Sequence, residues 1–253
     1  MRRLYKLINL LGLIQALRFL FNYLIRRSEP IPIWIKGIQT PLYCRVRDSD
    51  IRVLWQIFGE KWFDLGKIES PRLIVDGGAY TGYSSVFFAT KYPNAHIIAV
   101  EPSRANGKLL RRNCEPYANI EIVHAAIWES NVKLQLDNPG DESWTLRVSE
   151  VAPSKSEYVR GVNLASLIDS RWFETIDVLK LDVEGAERSI FAKNYDRWLK
   201  RTRHMLIELH ERYVPGCEAA FYSAIKDEPY WITEAGEYTI LKRPDTWRSV
   251  VVE

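Results

Sequence analysis

Leu73-Ile74-Val75-Asp76-Gly77-Gly78-Ala79-Tyr80-Thr81-Gly82 reads as a buried strand that stops at an acid and turns on glycines. A second apolar run, His96-Ile97-Ile98-Ala99-Val100, stops at Glu101-Pro102. Parallel strands buried on both faces read as unbroken Ile, Val and Leu, and such sheets hold ligands at the strands' C-terminal tips. Two of them, each ending in a carboxylate and separated by one helix's worth of chain, outline the nucleoside half of a doubly wound sheet. Gly77 and Gly78 remove side chains that would hold the turn's backbone off a ligand, and Gly82 allows close approach as the next helix begins. Glu101 follows the turn at close to the ~20 residues expected for an acid that accepts hydrogen bonds from ribose hydroxyls.

What the turn lacks separates cofactor classes. A nicotinamide or flavin fingerprint needs G-x-G-x-x-G, whose second glycine lets the backbone reach a pyrophosphate. Ala79 stands in that place, and the turn opens on Asp76. A carboxylate repels a pyrophosphate but suits a sulfonium and an ammonium, so the residues favour S-adenosylmethionine over NAD. A glycine turn that merely closes a βαβ unit is the plain alternative, and the ordered strand, helix and second acid weigh against it.

The chain has 253 residues and 47% hydrophobic content, enough to bury the core of a single soluble α/β enzyme domain with extensions. The net charge is +3, from 35 basic and 32 acidic residues spread along the chain, which argues against a dedicated nucleic-acid binder. Cys44, Cys114 and Cys217 are odd in number, far apart and without a C-x-x-C pair. Neither a disulfide framework nor a zinc site is indicated, and a reduced cytoplasmic setting is expected.

Three segments are expected: an apolar and basic helical extension over residues 1–27, a linker, hairpin and cap helix over 28–70, and an S-adenosylmethionine-binding domain over 71–253. In the first, Arg18 and Asn22 fall where a membrane span would need an apolar core of about 20 residues, so a span is not expected. Arg18 and the lack of a small-residue cleavage site also disfavour a signal peptide. Two readings stay open for it: an interfacial segment lying on the inner face of a membrane, or helices packed on the body or on a second copy as a homodimer. Residues 28–32 read as an extended linker because of Pro30 and Pro32. Ile33-Trp34-Ile35-Lys36 and Leu42-Tyr43-Cys44-Arg45-Val46 alternate as a hairpin. Asp48-Ser49-Asp50 offers N-cap chemistry to a helix over 51–58.

Helices are expected over 84–91 and 103–113, and a third strand over 120–123. Ala125-Ala126-Ile127-Trp128 follows at its tip, where adenine would lie. Between 131 and 161, the short alternating stretches Val132-Lys133-Leu134-Gln135-Leu136 and Trp144-Thr145-Leu146-Arg147-Val148, around Asn138-Pro139-Gly140, read as a β-rich excursion or substrate loop. A strand over 176–181 then leads into a second chemical cluster, Lys180-Leu181-Asp182-Val183-Glu184-Gly185-Ala186-Glu187, with Ile207-Glu208-Leu209-His210 downstream.

Together, Asp76-Gly77-Gly78-Ala79, Glu101-Pro102, the K-x-D-x-E-G-x-E string and Glu208-Leu209-His210 resemble the FkbM family of S-adenosylmethionine-dependent methyltransferases. The likeness covers residues 72–210 firmly and the segment through Arg45, Ser49-Asp50 and Phe58 more loosely. It implies a class I methyltransferase fold, a Rossmann-like doubly wound sheet of seven strands, acting on hydroxyls of sugars or of polyketide-like natural products.

The residues carry matching roles. Asp182 caps a strand on the same sheet edge as Asp76 and Glu101, where it can orient the methionine end or a substrate hydroxyl. Lys180, inside an apolar strand, needs a carboxylate or ligand partner. Glu184 and Glu187 sit at a helix start, where dipole complementation is the plain alternative. His210, beside Glu208, is placed as a general base. The expected catalytic set is Asp182, His210, Glu184 and Lys180. The expected cofactor set is Asp76, Gly77, Gly78, Ala79, Tyr80, Gly82, Glu101, Pro102, Ala126 and Asp182. No metal ligands are assigned, although Asp182, Glu184, Glu208 and His210 form a set that a divalent metal could use. Trp34, Tyr43, Trp55 and Trp62 are expected to rim a site for a sugar acceptor. The competing classes are an NAD-linked oxidoreductase and a non-catalytic membrane-associated binding module.

Overall fold

A computed structural model describes residues 2–137, 147–150, 158–244, 246 and 247. Asn138-Pro139-Gly140 and Trp144-Thr145-Leu146 of the expected excursion lie outside the described residues. Helices α1 (Arg2–Leu11) and α2 (Leu13–Leu24) precede a hairpin of β1 (Ile31–Ile33) and β2 (Leu42–Cys44), then α3 (Asp50–Leu54) and a π-helical turn, Trp55–Gly59. The body follows as β3 (Leu73–Gly77), α4 (Tyr83–Lys91), β4 (His96–Val100), α5 (Arg104–Cys114) and β5 (Ile120–Val123). A small sheet interrupts it: β6 (Ala126–Ile127), β7 (Lys133–Asp137), β8 (Arg147–Glu150) and β9 (Val159–Val162). The chain closes with α6 (Leu164–Asp169), β10 (Ile176–Leu181), α7 (Glu187–Ala192), α8 (Asp196–Leu199), β11 (Thr202–Glu208), α9 (Cys217–Ile225), β12 (Trp231–Ala235) and β13 (Tyr238–Lys242).

Seven strands form the main sheet in the order β12-β13-β11-β10-β3-β4-β5. β13 runs antiparallel to both neighbours, while β10, β11, β3, β4 and β5 pair in parallel. From β3 the chain winds outward through β4 to β5, then returns to β10 on the other side and winds outward again. The order therefore reverses between β3 and β10, and that switch point is where a doubly wound sheet opens a crevice for ligands.

Alternate side chains of the central strands feed two cores. Leu73 and Val75 enter one, with Leu179, Met205 and Phe221; Ile74 enters the other, with Val178, Leu206 and Phe88. Each of these large side chains contributes ~1.5–3 kcal/mol by leaving water. Leu11 and Phe19 from the first two helices and Leu42 and Leu54 from the cap join the second core. All three cysteines are buried and free.

Three local expectations need correction. The hairpin's first strand begins at Ile31 rather than Ile33, and Pro32 lies within it opposite Tyr43. A strand at the edge of a two-stranded sheet tolerates a residue without an N–H, so the prolines do not force a linker there. The cap helix changes to π-helical winding at Trp55, and Ser49 makes no side-chain capping bond. Asp50 turns inward to Arg45 instead. Glu184 precedes α7 rather than opening it: it has φ +53° and Gly185 has φ +100°, a left-handed pair that turns the chain off β10.

Candidate active site

A cavity of about 600 Å³ opens at the C-terminal ends of β3, β4, β10 and β11. Of the sequence-predicted residues, Gly78, Ala79, Tyr80, Glu101, Pro102, Ala126, Lys180, Asp182, Glu184 and His210 line it. Asp76, Gly77 and Gly82 do not line it; they build the loop from behind.

Asp76 is fully buried, and its Oδ2 accepts hydrogen bonds from Ser84 Oγ at 2.6 Å and Ser85 Oγ at 2.5 Å. It therefore anchors the start of α4 under the glycine turn. Gly82 has φ +89°, and a Cβ on it would meet Cys114 Sγ and Leu110 Cδ1 at 2.8 Å, so its task is to let α4 pack on α5. Lys180 Nζ donates to the carbonyls of Gly78 at 2.6 Å and Gly77 at 3.3 Å and stands 3.5 Å from Asp76 and 3.6 Å from Asp182. Burial alone would lower its pKa, but Asp182, Asp76 and Glu208 outweigh that and raise it. Lys180 is thus a fixed cation that ties the glycine loop to the tip of β10.

Glu101, at the tip of β4, accepts from the backbone N–H of Tyr80 at 2.9 Å and of Ser103 at 2.9 Å. Burial pushes its carboxyl up to about 7, against the pull of those amides. Tyr80 itself has φ +53°, a conformation uncommon for a residue with a side chain. Its hydroxyl is held by Asp50 at 2.7 Å. Asp50 also takes Arg45 Nη2 at 2.7 Å and the Tyr83 hydroxyl at 3.1 Å, and Arg45 Nη1 reaches Asn106 Oδ1 at 3.1 Å. The cap is thereby clamped onto the loop that holds Glu101.

An acid cluster faces Glu101 across the cavity. His210, 5% exposed, has Nδ1 2.9 Å from Oε1 of the fully buried Glu187. Its Nε2 lies 3.7 Å from Asp182 Oδ1, 3.6 Å from Glu184 Oε2 and 3.7 Å from Glu208 Oε1. Burial would lower the His210 pKa, yet the hydrogen bond and charge of Glu187, with Asp182 and Glu184, raise it to about 10. The ring keeps its proton near neutrality unless a bound cation displaces it from Nε2, and a protonated imidazole donates rather than accepts. Glu208 is pushed up to about 8, by burial first and then by Asp182, so its carboxyl takes up a proton most readily once ionised, toward pH 8 and above.

Sequence reasoning missed several contributors. Glu187, which had a plain dipole reading, orients His210. The Tyr238 hydroxyl donates to Asp182 Oδ2 at 2.9 Å, but it sits on an antiparallel strand with no motif of its own, and only the sheet order brings it there. Conversely, Trp34, Tyr43, Trp55 and Trp62 do not border the cavity. Tyr43 lies under Arg112, Trp55 under Lys6, and Trp62 packs edge-on against Tyr238. Aromatic lining comes instead from Phe63, Tyr80, Tyr83, Tyr213 and Tyr238.

The sheet order and a crevice walled by a glycine loop and strand-tip acids define a class I methyltransferase fold. Residues 76–229 match the Methyltransferase FkbM domain, and the chain belongs to that family. It is 26% identical over 213 residues to Methyltransferase sdnD of Sordaria araneosa, covering 70% of this chain and 81% of that protein. It is 22% identical over 215 residues to the AMB antimetabolite synthetase AmbE of Pseudomonas aeruginosa, covering 69% of this chain but 10% of that much longer protein. Among solved structures, methyltransferase FkbM from Methylobacillus flagellatus aligns with a TM-score of 0.49 at 17% identity, over 70% of this chain. The chain spans 44% of the length of that protein.

Proposed function

We propose that this methyltransferase uses S-adenosylmethionine to methylate a hydroxyl oxygen, with a sugar of a glycan or glycoconjugate as the preferred acceptor. The observation that carries the reading is the polarity of the cavity. Carboxylates at the tips of β4, β10 and β11 face a space whose other wall includes Ala126, Ile127 and Val100. Acids suit a sulfonium and an ammonium, the apolar wall suits a purine, and Glu101 suits the ribose hydroxyls. Residues 71–253 would form the methyltransferase domain, with 1–27 as an extension and 28–70 as a cap over the donor side.

S-adenosylmethionine supplies a methyl group on a cationic sulfur that leaves as a neutral thioether. The O–CH₃ bond forms as the S–CH₃ bond breaks, its electron pair returning to sulfur, and the acceptor's hydroxyl proton leaves. Alignment of oxygen, carbon and sulfur can supply ~7–11 kcal/mol of the barrier lowering. Lys180 and Tyr238 fix Asp182 for that task, and Glu208, in its ionised form, takes the proton, help worth about 10²- to 10⁴-fold. Tyr80, Tyr213 and Tyr238, which line the cavity with Arg52, Gln56 and Glu237, suit a sugar ring. O-methylation of a polyketide-like small natural product is the second reading, in line with the similarity to AmbE, an antimetabolite synthetase. Labelled S-adenosylmethionine offered with glycans, lipid-linked glycans and small natural products tests both: label on a sugar hydroxyl supports the first, and label only on the small molecules overturns it.

Cofactor affinity should depend on pH through Glu101. Its carboxyl rises from 4.5 to about 7 on folding, so the stability it contributes is fully present below about 4.5 and is lost as pH rises through 7. Ligand affinity runs the other way, because the ionised carboxylate is the better acceptor for ribose hydroxyls. Calorimetry between pH 6 and 8 should show affinity for S-adenosylhomocysteine rising with pH in the wild type. Glu101→Gln should bind at least about tenfold more weakly, a loss of ~1.4 kcal/mol, with a flat profile. A wild-type profile as flat as the variant's would remove Glu101 from that role.

The extension suits an anionic lipid surface. Among the described residues no helix is long and apolar enough to cross a membrane. On α2, Ala16, Phe19 and Asn22 are buried, whereas Ile14 is 84% and Leu24 76% exposed, alongside exposed Leu13, Leu17 and Phe21. Exposed Arg18, Arg26 and Arg27 flank that apolar face. Anionic lipid contributes ~1 kcal/mol per nearby Lys or Arg. The full chain should float with phosphatidylserine vesicles and a version starting at Ser28 should not. A full-length dimer that ignores the vesicles, beside a monomeric truncation, would assign the face to a second copy instead.

A further inference from the structure

We infer that Asp182, Glu208 and His210 form a binding site for one divalent cation of the Mg²⁺ or Mn²⁺ type, beside the position proposed for the acceptor oxygen. The three residues offer ligand atoms within 4.8 Å of one another, and three atoms carry the argument, His210 Nε2 with Asp182 Oδ1 and Glu208 Oε1, each oxygen 3.7 Å from the ring nitrogen. None of the three makes a hydrogen bond among the described residues, although His210 is 95% buried (5% exposed). Their separations of 3.7 Å from the ring nitrogen exceed hydrogen-bond length. They are close to the ~3.0–3.6 Å that results when two ligands share a cation at ~2.0–2.2 Å.

The other end of two of these ligands is already fixed. His210 Nδ1 is held by Glu187 at 2.9 Å, and Asp182 Oδ2 accepts from Tyr238 at 2.9 Å. A carboxylate on the far nitrogen of a histidine sets the tautomer and aims the near nitrogen at a metal, which is the usual outer-shell arrangement of metal-binding histidines. Within a self-contained ion-pair cluster, by contrast, the near nitrogen would be expected to close onto one carboxylate. One imidazole and two carboxylates suit Mg²⁺ or Mn²⁺, and three protein ligands leave positions open to solvent or substrate. The cavity side of the cluster is where those positions face. A cation there would act as a Lewis acid on the acceptor hydroxyl, which then loses its proton more readily. Glu208 and His210 are in that state ligands rather than proton acceptors, and the hydroxyl proton leaves to solvent through the open cavity.

Binding of the cation does not depend on the methyl-transfer reading; its use in the reaction does. The full chain, stripped with chelator, is titrated with Mn²⁺ and followed by electron paramagnetic resonance of the free ion, with S-adenosylhomocysteine affinity measured on the same preparation. One Mn²⁺ per chain is expected. Glu187→Gln should weaken it by about 10- to 100-fold, and Glu208→Gln by at least as much, with circular dichroism matching the wild type. Folded protein that binds S-adenosylhomocysteine but no Mn²⁺ at millimolar concentration overturns the metal site and leaves the methyltransferase reading intact. Mn²⁺ bound equally by wild type and both variants also overturns it, since the ion is then held elsewhere. Mn²⁺ bound at the site without S-adenosylhomocysteine supports the site while overturning the cofactor assignment.

Discussion

Asp50→Ala should lower the stability of the fold by about 3–5 kcal/mol, the usual cost of removing one partner from a buried ion pair. For a chain of this size that corresponds to roughly 10 °C or more in Tm. Asp50 is fully buried, and its two oxygens accept from Arg45, Tyr80 and Tyr83. Without it, a guanidinium whose side chain is only 21% exposed loses its main acceptor, and two phenol hydroxyls lose a partner. The comparison variant is Lys67→Ala, which breaks a pair whose side chains are 83% and 78% exposed. Exposed pairs contribute about 0–1 kcal/mol, so its melting point should hardly move. The Asp50 variant should also bind S-adenosylhomocysteine more weakly, because Tyr80 is released from its left-handed conformation and its N–H from Glu101. Equal melting points for the two variants would show that the cap is not clamped through Asp50.

Gly78→Ala should abolish cofactor binding and destabilise the fold, whereas Gly107→Ala should do neither. A Cβ on Gly78 would sit 1.8 Å from the carbonyl oxygen of Asp182, and its φ of +73° disfavours any side chain. The obstacle is the backbone at the tip of β10, which cannot rotate away as a flexible side chain can. The glycine loop and β10 would have to part, which also breaks the Lys180 bonds to Gly77 and Gly78. A loss of more than about 2 kcal/mol is expected, the left-handed strain alone being of order 1–2 kcal/mol. Gly107 lies inside α5 with nothing within 4 Å of its added Cβ, so alanine there should stabilise by ~0.4–1 kcal/mol. Urea denaturation and calorimetry on the two variants read both effects. Wild-type stability in the Gly78 variant would contradict the close approach of loop and strand.

Much of the fold is legible in the chain because β3, β4 and β10 are buried on both faces. Such strands write themselves as Ile, Val and Leu runs bounded by acids and glycines. The Asp182 cluster is legible for the same reason, since it follows a strand tip directly. Asp76 was harder, because the sequence shows an acid at the right edge but not that its carboxylate turns to Ser84 and Ser85. Asp50 looks like a helix cap because a short acidic residue before an apolar period has two uses, and Arg45, five residues earlier, decides between them. The aromatic wall was misplaced for a related reason. Trp34 and Trp55 share a segment with the cap, but Trp34 is tied through its backbone to Gln15 and Trp55 gives its ring face to Lys6, both from the N-terminal helices. Tyr238 could not be found from local pattern, since its place beside Asp182 comes from β13 inserting between β11 and β12.

The most direct test of the central claim is calorimetric titration of the full chain with S-adenosylmethionine, S-adenosylhomocysteine and NAD. The account predicts one site per chain, in the low-micromolar range for the first two ligands. That occupancy would stabilise the fold by about 2.7 kcal/mol at 100-fold excess over Kd, with the gain largely lost in Glu101→Gln. Binding of NAD, with neither S-adenosylmethionine nor its demethylated product bound, would contradict it.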